Sequence, residues 1–197
     1  MYRDPANRVD VGRGLLSGAR WVRSPNQDAR PPGATIDLVI VHGISLPPGT
    51  FGGPWVERLF TNTLPPDEHP FFAGIAHVPV SAHLFIRRDG ELVQFVPFHA
   101  RAWHAGESVW QHRVACNDFS VGIELEGCDD VPYEVIQYDR LGTAIAALSR
   151  AYRTLQPSAV AGHSDVAPVR KTDPGPVFDW ARLRARVDAA LVAGGLA

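Results

Sequence analysis

One apolar segment sets the frame for this chain. Ile36-Asp37-Leu38-Val39-Ile40-Val41 is short, rich in β-branched residues and followed by His42-Gly43, the pattern of a strand buried inside a sheet. In α/β sheets a side chain at a strand end is held rigidly while the next loop leaves room for a ligand. His42 is expected to occupy that position, with Gly43 breaking the strand.

Three further segments extend the pattern. Ser81–Arg88 and Glu91–Pro97 flank Asp89-Gly90, a pair that tolerates positive φ and so predicts a tight hairpin. In Ser120–Gly127, Val121, Ile123 and Leu125 share one face and Glu124 and Glu126 the other, which makes Glu124 a directed carboxylate on a rigid strand. Ala159–Gly162 leads into His163 as a short strand or turn.

Two amphipathic helices are expected. From about Glu134 to Arg153, apolar residues recur at spacings of three and four, which makes one stripe that packs on the sheet. The last helix starts at an Asp179 N-cap, with Phe178 and Leu183 placed as a hydrophobic staple and Trp180, Leu183, Val187 and Leu191 as its buried face. Between strands, residues 46–79 are rich in proline, glycine and aromatics, with one short helix over Trp55–Asn62. A loop this long is usually functional, and it is expected to cover a site.

With 197 residues, 45% hydrophobic and 20% charged, the chain suits one domain with a sizeable core. Residues 1–197 form a single domain with its core over about 20–193, and the leader 1–19 and tail 194–197 are expected to be irregular. A net charge of −2 offers no broad attraction for nucleic acid or anionic membrane. The first residues lack an apolar signal segment and no run of eighteen apolar residues occurs, so the expected location is cytoplasmic. The two cysteines, Cys116 and Cys128, agree with a reducing compartment, and a bridge between them stays open.

Chemistry is concentrated in a few polar residues. His42, His163 and Asp173 lie at the mouths of apolar or glycine-punctuated segments, and two imidazoles with one carboxylate can hold a zinc ion with a fourth position open to water. A structural zinc site would use four protein ligands, usually with thiolates among them. Any one of the eight histidines is by itself more often a hydrogen-bonded core residue than a ligand. Lys171, the only lysine, stands two residues before Asp173 in Arg170-Lys171-Thr172-Asp173-Pro174-Gly175. In an extended segment the two would face one site.

Val41-His42-Gly43-Ile44-Ser45-Leu46-Pro47-Pro48-Gly49, Trp103-His104-Ala105-Gly106, Val121–Gly127, Gly162-His163-Ser164-Asp165 and Arg170–Gly175 together resemble the cytoplasmic 1,6-anhydro-N-acetylmuramyl-L-alanine amidases of the AmpD family, in order and from about Trp21 to Arg182. The resemblance implies a central mixed β-sheet flanked by helices. It implies one Zn2+ on His42, His163 and Asp173, a catalytic carboxylate on Glu124, a transition-state lysine on Lys171 and an anhydromuropeptide substrate. The family has asparagine where this chain has Gly43.

Trp103 is expected to stack on a sugar and Arg170 to meet a peptide carboxylate, although both residue types are also common structural elements. His83 and His104 are candidates for hydrogen bonds to a ligand or base. Two other readings compete: a non-catalytic module that binds peptidoglycan fragments, and a zinc peptidase acting on another amide.

Overall fold

The computed structural model of the protein describes residues 8–195. In chain order the elements are β1 (Val9–Asp10), β2 (Leu15–Leu16), β3 (Arg20–Trp21), β4 (Gln27–Ala29), β5 (Leu38–Ile44), α1 (Trp55–Phe60), α2 (Pro70–Ala73), β6 (Leu84–Ile86), β7 (Leu92–Gln94), β8 (Ala100–Ala102), β9 (Val109–Trp110) and β10 (Arg113–Val114). A 3-10 turn at Cys116–Asp118 leads to β11 (Ser120–Glu126), α3 (Val135–Ala151), β12 (Val160–Gly162), α4 (His163–Val166) and α5 (Trp180–Gly194).

Six of these strands form one mixed sheet in the order β12-β5-β11-β6-β7-β3. β12, β5, β11 and β6 run parallel, the β6–β7 hairpin is antiparallel, and β3 pairs parallel to β7. Gly90 takes φ +86° in the hairpin turn, a conformation glycine reaches without a Cβ clash. The expected architecture, α/β with a mixed sheet and flanking helices, is the one observed.

The sheet divides its side chains by parity. Val39 and Val41 of β5, Leu84 and Ile86 of β6, and Val121, Ile123 and Leu125 of β11 pack with Tyr138, Leu141, Ala144, Ile145 and Leu148 of α3 and with Leu183 and Val187 of α5. Each such aliphatic side chain removed from water contributes on the order of 1.5–3 kcal/mol. The opposite face carries a second cluster, in which Phe85, Val93 and Phe95 pack under Val56, Leu59 and Phe60 of α1 and Phe72 of α2.

Buried polar groups stitch the helices and the leader to the sheet. Gln137 Oε1 accepts the Glu134 N–H at the start of α3, while its Nε2 donates to the carbonyls of Ile86 and Glu126. Asp179 caps α5 by accepting from Arg182 N–H at 2.9 Å. None of the described helices is long and apolar enough to cross a membrane.

Three expectations are corrected, and the open question of a Cys116–Cys128 bridge is answered. β5 continues through His42 to Ile44, because Gly43 and Ile44 keep their pairing to Leu125 and Glu126 of β11; ladder hydrogen bonds on a central strand outweigh the weak strand preference of glycine. Within the leader, residues 9–16 are not irregular: β1 pairs with β2, and Gln94 anchors the pair by accepting from Leu16 N–H and donating to the Gly14 carbonyl, both at 2.8 Å. Residues 46–79 contain a second helix, α2, begun by Pro70 and capped by the His69 side chain. Cys116 and Cys128 are both free thiols. The expected irregularity of residues 1–7 and 196–197 lies outside the described residues.

Candidate metal centre

The carboxyl ends of β12, β5 and β11 lie side by side, and the parallel register sets His42 directly opposite Glu124. Both occupy positions that alternate with the helix-facing valines and isoleucines, so they point to the face away from α3 and α5. His163 follows β12 immediately and opens α4. Three chain segments far apart in sequence thereby meet at one point of the sheet.

His42 Nδ1 and His163 Nδ1 are 3.0 Å apart, and Asp173 Oδ2 stands 3.3 and 3.1 Å from them. Ligand atoms on a tetrahedral zinc with bonds of about 2.0–2.2 Å stand roughly 3.3–3.5 Å apart. The triangle is therefore within a few tenths of an ångström of a zinc face, and these three are the described residues able to hold a metal ion as a group. Ala105 O can only accept, so its 3.2 Å contact with His163 Nε2 puts the proton there and leaves Nδ1 bare, as a ligand requires.

Burial governs the charges. It drives His42 down to about 4, despite the opposing pull of the nearby Asp173 carboxylate. Burial works against ionisation of Asp173 too, but the adjacent His163 and His42 imidazoles outweigh it and hold this carboxylate well below its usual range. His42 thus presents a neutral imidazole and Asp173 an ionised carboxylate, the forms that ligate metals.

Glu124 is the group of this site whose burial is not satisfied. It is 9% exposed, its Oε2 has no hydrogen-bond partner among the described residues, and burial followed by repulsion from Asp173 raises its pKa well above normal, with Lys171 opposing. Glu124, Lys171, Trp103 and the His-His-Asp group line one cavity of about 190 Å³. Lys171 and Asp173 face it together, though from a turn-rich segment and not an extended one. Glu126, two residues on, is pinned instead by the N–H groups of Gly52 and Arg88.

A larger cleft of about 810 Å³ adjoins this cavity, and the two share Gly43, Ile44, Val80, Lys171 and Asp173. Leu46, Pro48, Phe71, Ile75 and Val78 of the long excursion line it, so the 46–79 region, expected to cover a site, borders one. Asp129, Asp130 and Arg170 supply polar groups on the other side.

Trp103 borders the cavity and donates its indole N–H to Asp28 Oδ1 at 3.2 Å. Arg170 borders the cleft, with one nitrogen, NH2, donating to the carbonyls of Ala105 and Glu107. His104 lies against His42, Nδ1 to Nε2 at 3.0 Å. His83 accepts the Gly122 N–H on Nδ1 and contacts Ala100 O with Nε2, one strand removed from the ligands.

Tyr133 was not singled out by its sequence context. Its hydroxyl donates to the Pro174 carbonyl at 2.9 Å, beside Asp173. A Cβ at Gly43 or Gly127 would meet the Tyr133 side chain at 2.3 Å. The two glycines at matching strand ends are the signal that a ring lies across them.

An α/β sheet with a two-histidine, one-carboxylate centre at its carboxyl edge, beside an unpaired buried glutamate, defines a hydrolase class. The chain belongs to the N-acetylmuramoyl-L-alanine amidase family, whose pattern matches residues 32–176. It is 58% identical over 175 residues to the 1,6-anhydro-N-acetylmuramyl-L-alanine amidase AmpD of Escherichia coli, covering 89% of this chain and 95% of that protein. The crystal structure of a Se-Met AmpD derivative superposes with a TM-score of 0.87 at 56% identity, covering 91% of this chain and 98% of that one. The Escherichia coli amidase AmiD, solved in complex with the substrate anhydro-N-acetylmuramic acid-L-Ala-D-gamma-Glu-L-Lys, matches at a TM-score of 0.55 and 27% identity over 80% of this chain and 60% of that one.

Proposed function

We propose that the protein is a zinc-dependent amidase of cytoplasmic peptidoglycan recycling. It would cleave the amide between the lactyl group of 1,6-anhydro-N-acetylmuramic acid and L-alanine of the stem peptide. The observation that carries this reading is the unpartnered, buried Glu124 carboxylate aligned in register with His42 beside the ligand triangle. A buried charge without a partner is costly to keep, and a module that only binds fragments has no use for one. The activity fits the similarity to AmpD from Escherichia coli.

His42, His163 and Asp173 would hold one Zn2+. When bound, zinc lowers the pKa of water toward about 7 and polarises a carbonyl. Glu124 would accept a proton from the attacking water and return one to the leaving amine, because an amide nitrogen departs only when protonated. The raised pKa of Glu124 suits a group that must both take and give. Lys171, whose ammonium has no hydrogen-bond or ion-pair partner among the described residues, would stabilise the oxyanion.

The 190 Å³ cavity would take the reacting amide, and the adjoining cleft of about 810 Å³ has the volume of a ligand site. Its apolar wall and acidic and basic residues suit a short peptide carrying both charges. Trp103 is proposed to face the sugar and Arg170 the peptide.

Metal analysis of purified protein, combined with mass spectrometry of an anhydromuropeptide digest, tests cofactor and bond together. The expected products are free anhydro-sugar and intact stem peptide, with one zinc per chain. Intact muropeptide, or cleavage between amino acids of the stem, would overturn the assignment.

A further inference from the structure

The two proposed histidine ligands reach the same short loop. His42 Nε2 meets His104 Nδ1 at 3.0 Å and His163 Nε2 meets Ala105 O at 3.2 Å. Adjacent residues between β8 and β9 therefore stand behind both imidazoles, on the side away from Asp173. With the His42 proton directed to His104, the second nitrogen of His104 bears a hydrogen toward Ser120 Oγ, 3.4 Å away. Each ligand then turns a bare Nδ1 inward.

One side chain holds that loop. Asn117 Oδ1 accepts the backbone N–H of His104 at 3.2 Å and of Ala105 at 2.8 Å. Its own backbone is fixed independently, since the half-buried Arg30 guanidinium donates to the carbonyls of Asn117, Asp118 and Ser120. Gly122 completes the support: a Cβ there would stand 2.3 Å from Cγ of His104, so the imidazole lies flat on the β11 backbone. Asn117 lines neither the cavity nor the cleft, which separates it from any direct contact with substrate.

We infer that Asn117 is a positioning residue for the metal centre: by holding His104 and Ala105, it fixes which nitrogen of His42 and His163 faces the metal. The inference rests on the metal reading above and deepens it. Partners behind a metal ligand set its tautomer and ring orientation, and losing one typically costs about 10–100-fold in metal affinity.

The test uses full-length protein and zinc itself, with affinity read by chelator competition and coordination by the visible spectrum of the cobalt-substituted form. Asn117→Ala is expected to weaken zinc binding about tenfold or more and to shift the cobalt spectrum. Asn117→Asp, which keeps an acceptor at Oδ1, is expected to restore both. Unfolding in the presence of EDTA separates loss of fold from loss of orientation.

Unchanged affinity and spectrum in Asn117→Ala would overturn the inference, as would failure of Asn117→Asp to rescue a folded Asn117→Ala protein. Should Asn117→Ala not fold, His104→Phe removes the acceptor facing His42 while keeping a flat ring on Gly122, and parental affinity in that variant would overturn it equally. If the parent takes up no zinc, or takes it up just as well after Asp173→Ala, the metal reading itself falls.

Discussion

The two faces of the central strands use the same backbone for opposite purposes. On β11, Val121, Ile123 and Leu125 meet α3 and α5 in an apolar core, while Gly122, Glu124 and Glu126 face the other way. Every residue of that strand is buried, so burial alone does not distinguish the faces. What distinguishes them is satisfaction. Glu126 and the imidazoles have polar partners, whereas Glu124 Oε2 has none among the described residues. A buried carboxylate oxygen left unpaired beside a ligand triangle is the feature that makes this face the candidate for the reaction.

The sharpest way to break this comparison is to change neighbours on the two faces. Glu124→Ala is expected to lower turnover by about 10²–10⁴-fold, the usual worth of a general acid–base group, with the fold and metal content kept. Ile123→Ala, one residue away, should cost about 2–5 kcal/mol of stability and leave the turnover of the folded fraction near parental. Denaturant unfolding and steady-state kinetics on both variants would show the effects separating; equal effects on both readouts would erase the distinction. Lys171→Ala should reduce turnover about 10²–10³-fold while its melting curve stays parental, because the ammonium has no partner to lose among the described residues.

The charge of Glu124 gives a finer test. Its carboxyl pKa is raised by burial, so the native state binds more protons than the unfolded one, and stability of the metal-free protein falls as pH rises through the window above the ordinary carboxylate range. Glu124→Gln should therefore stabilise metal-free protein by about 1–3 kcal/mol near neutrality and by little at pH near 4. Thermal melts in EDTA across that range measure it; a pH-independent difference would show that Glu124 is not held in a penalised state.

The smallest effect concerns Gly43. Its absent side chain makes room for the Tyr133 hydroxyl, so Gly43→Asn should displace the ring and lose the bond to Pro174, costing about 0.5–1.5 kcal/mol. Tyr133→Phe already lacks that hydroxyl. The double variant should be less destabilised than the two single costs added, and strict additivity would disprove the contact.

What was legible in the sequence was periodicity and chemistry type. The 3–4 spacing of α3, the Asp89-Gly90 turn and the alternation around Glu124 each follow from local geometry, and each element is present. Residue type and place at the mouths of apolar or glycine-punctuated segments single out His42, His163 and Asp173, and they are brought together. Less legible were features decided by partners far away. Gly43 reads as a strand breaker until β11 pairs with it. The leader looks irregular because Leu15-Leu16 is too short to declare a strand until Gln94, 78 residues from Leu16, satisfies its backbone. Tyr133 and Asn117 contact backbone carbonyl and amide groups, which leave no trace in residue type at the partner, although Gly43 and Gly127 mark the space the Tyr133 ring needs.

Because the proposed ligands come from positions 42, 163 and 173 on β5, α4 and the turn beyond it, no short piece of this polypeptide can chelate with all three. Uptake of the ion would thus report that synthesis had passed residue 173 and that β5 and β12, far apart in sequence, had already paired, making occupancy a readout of a finished molecule.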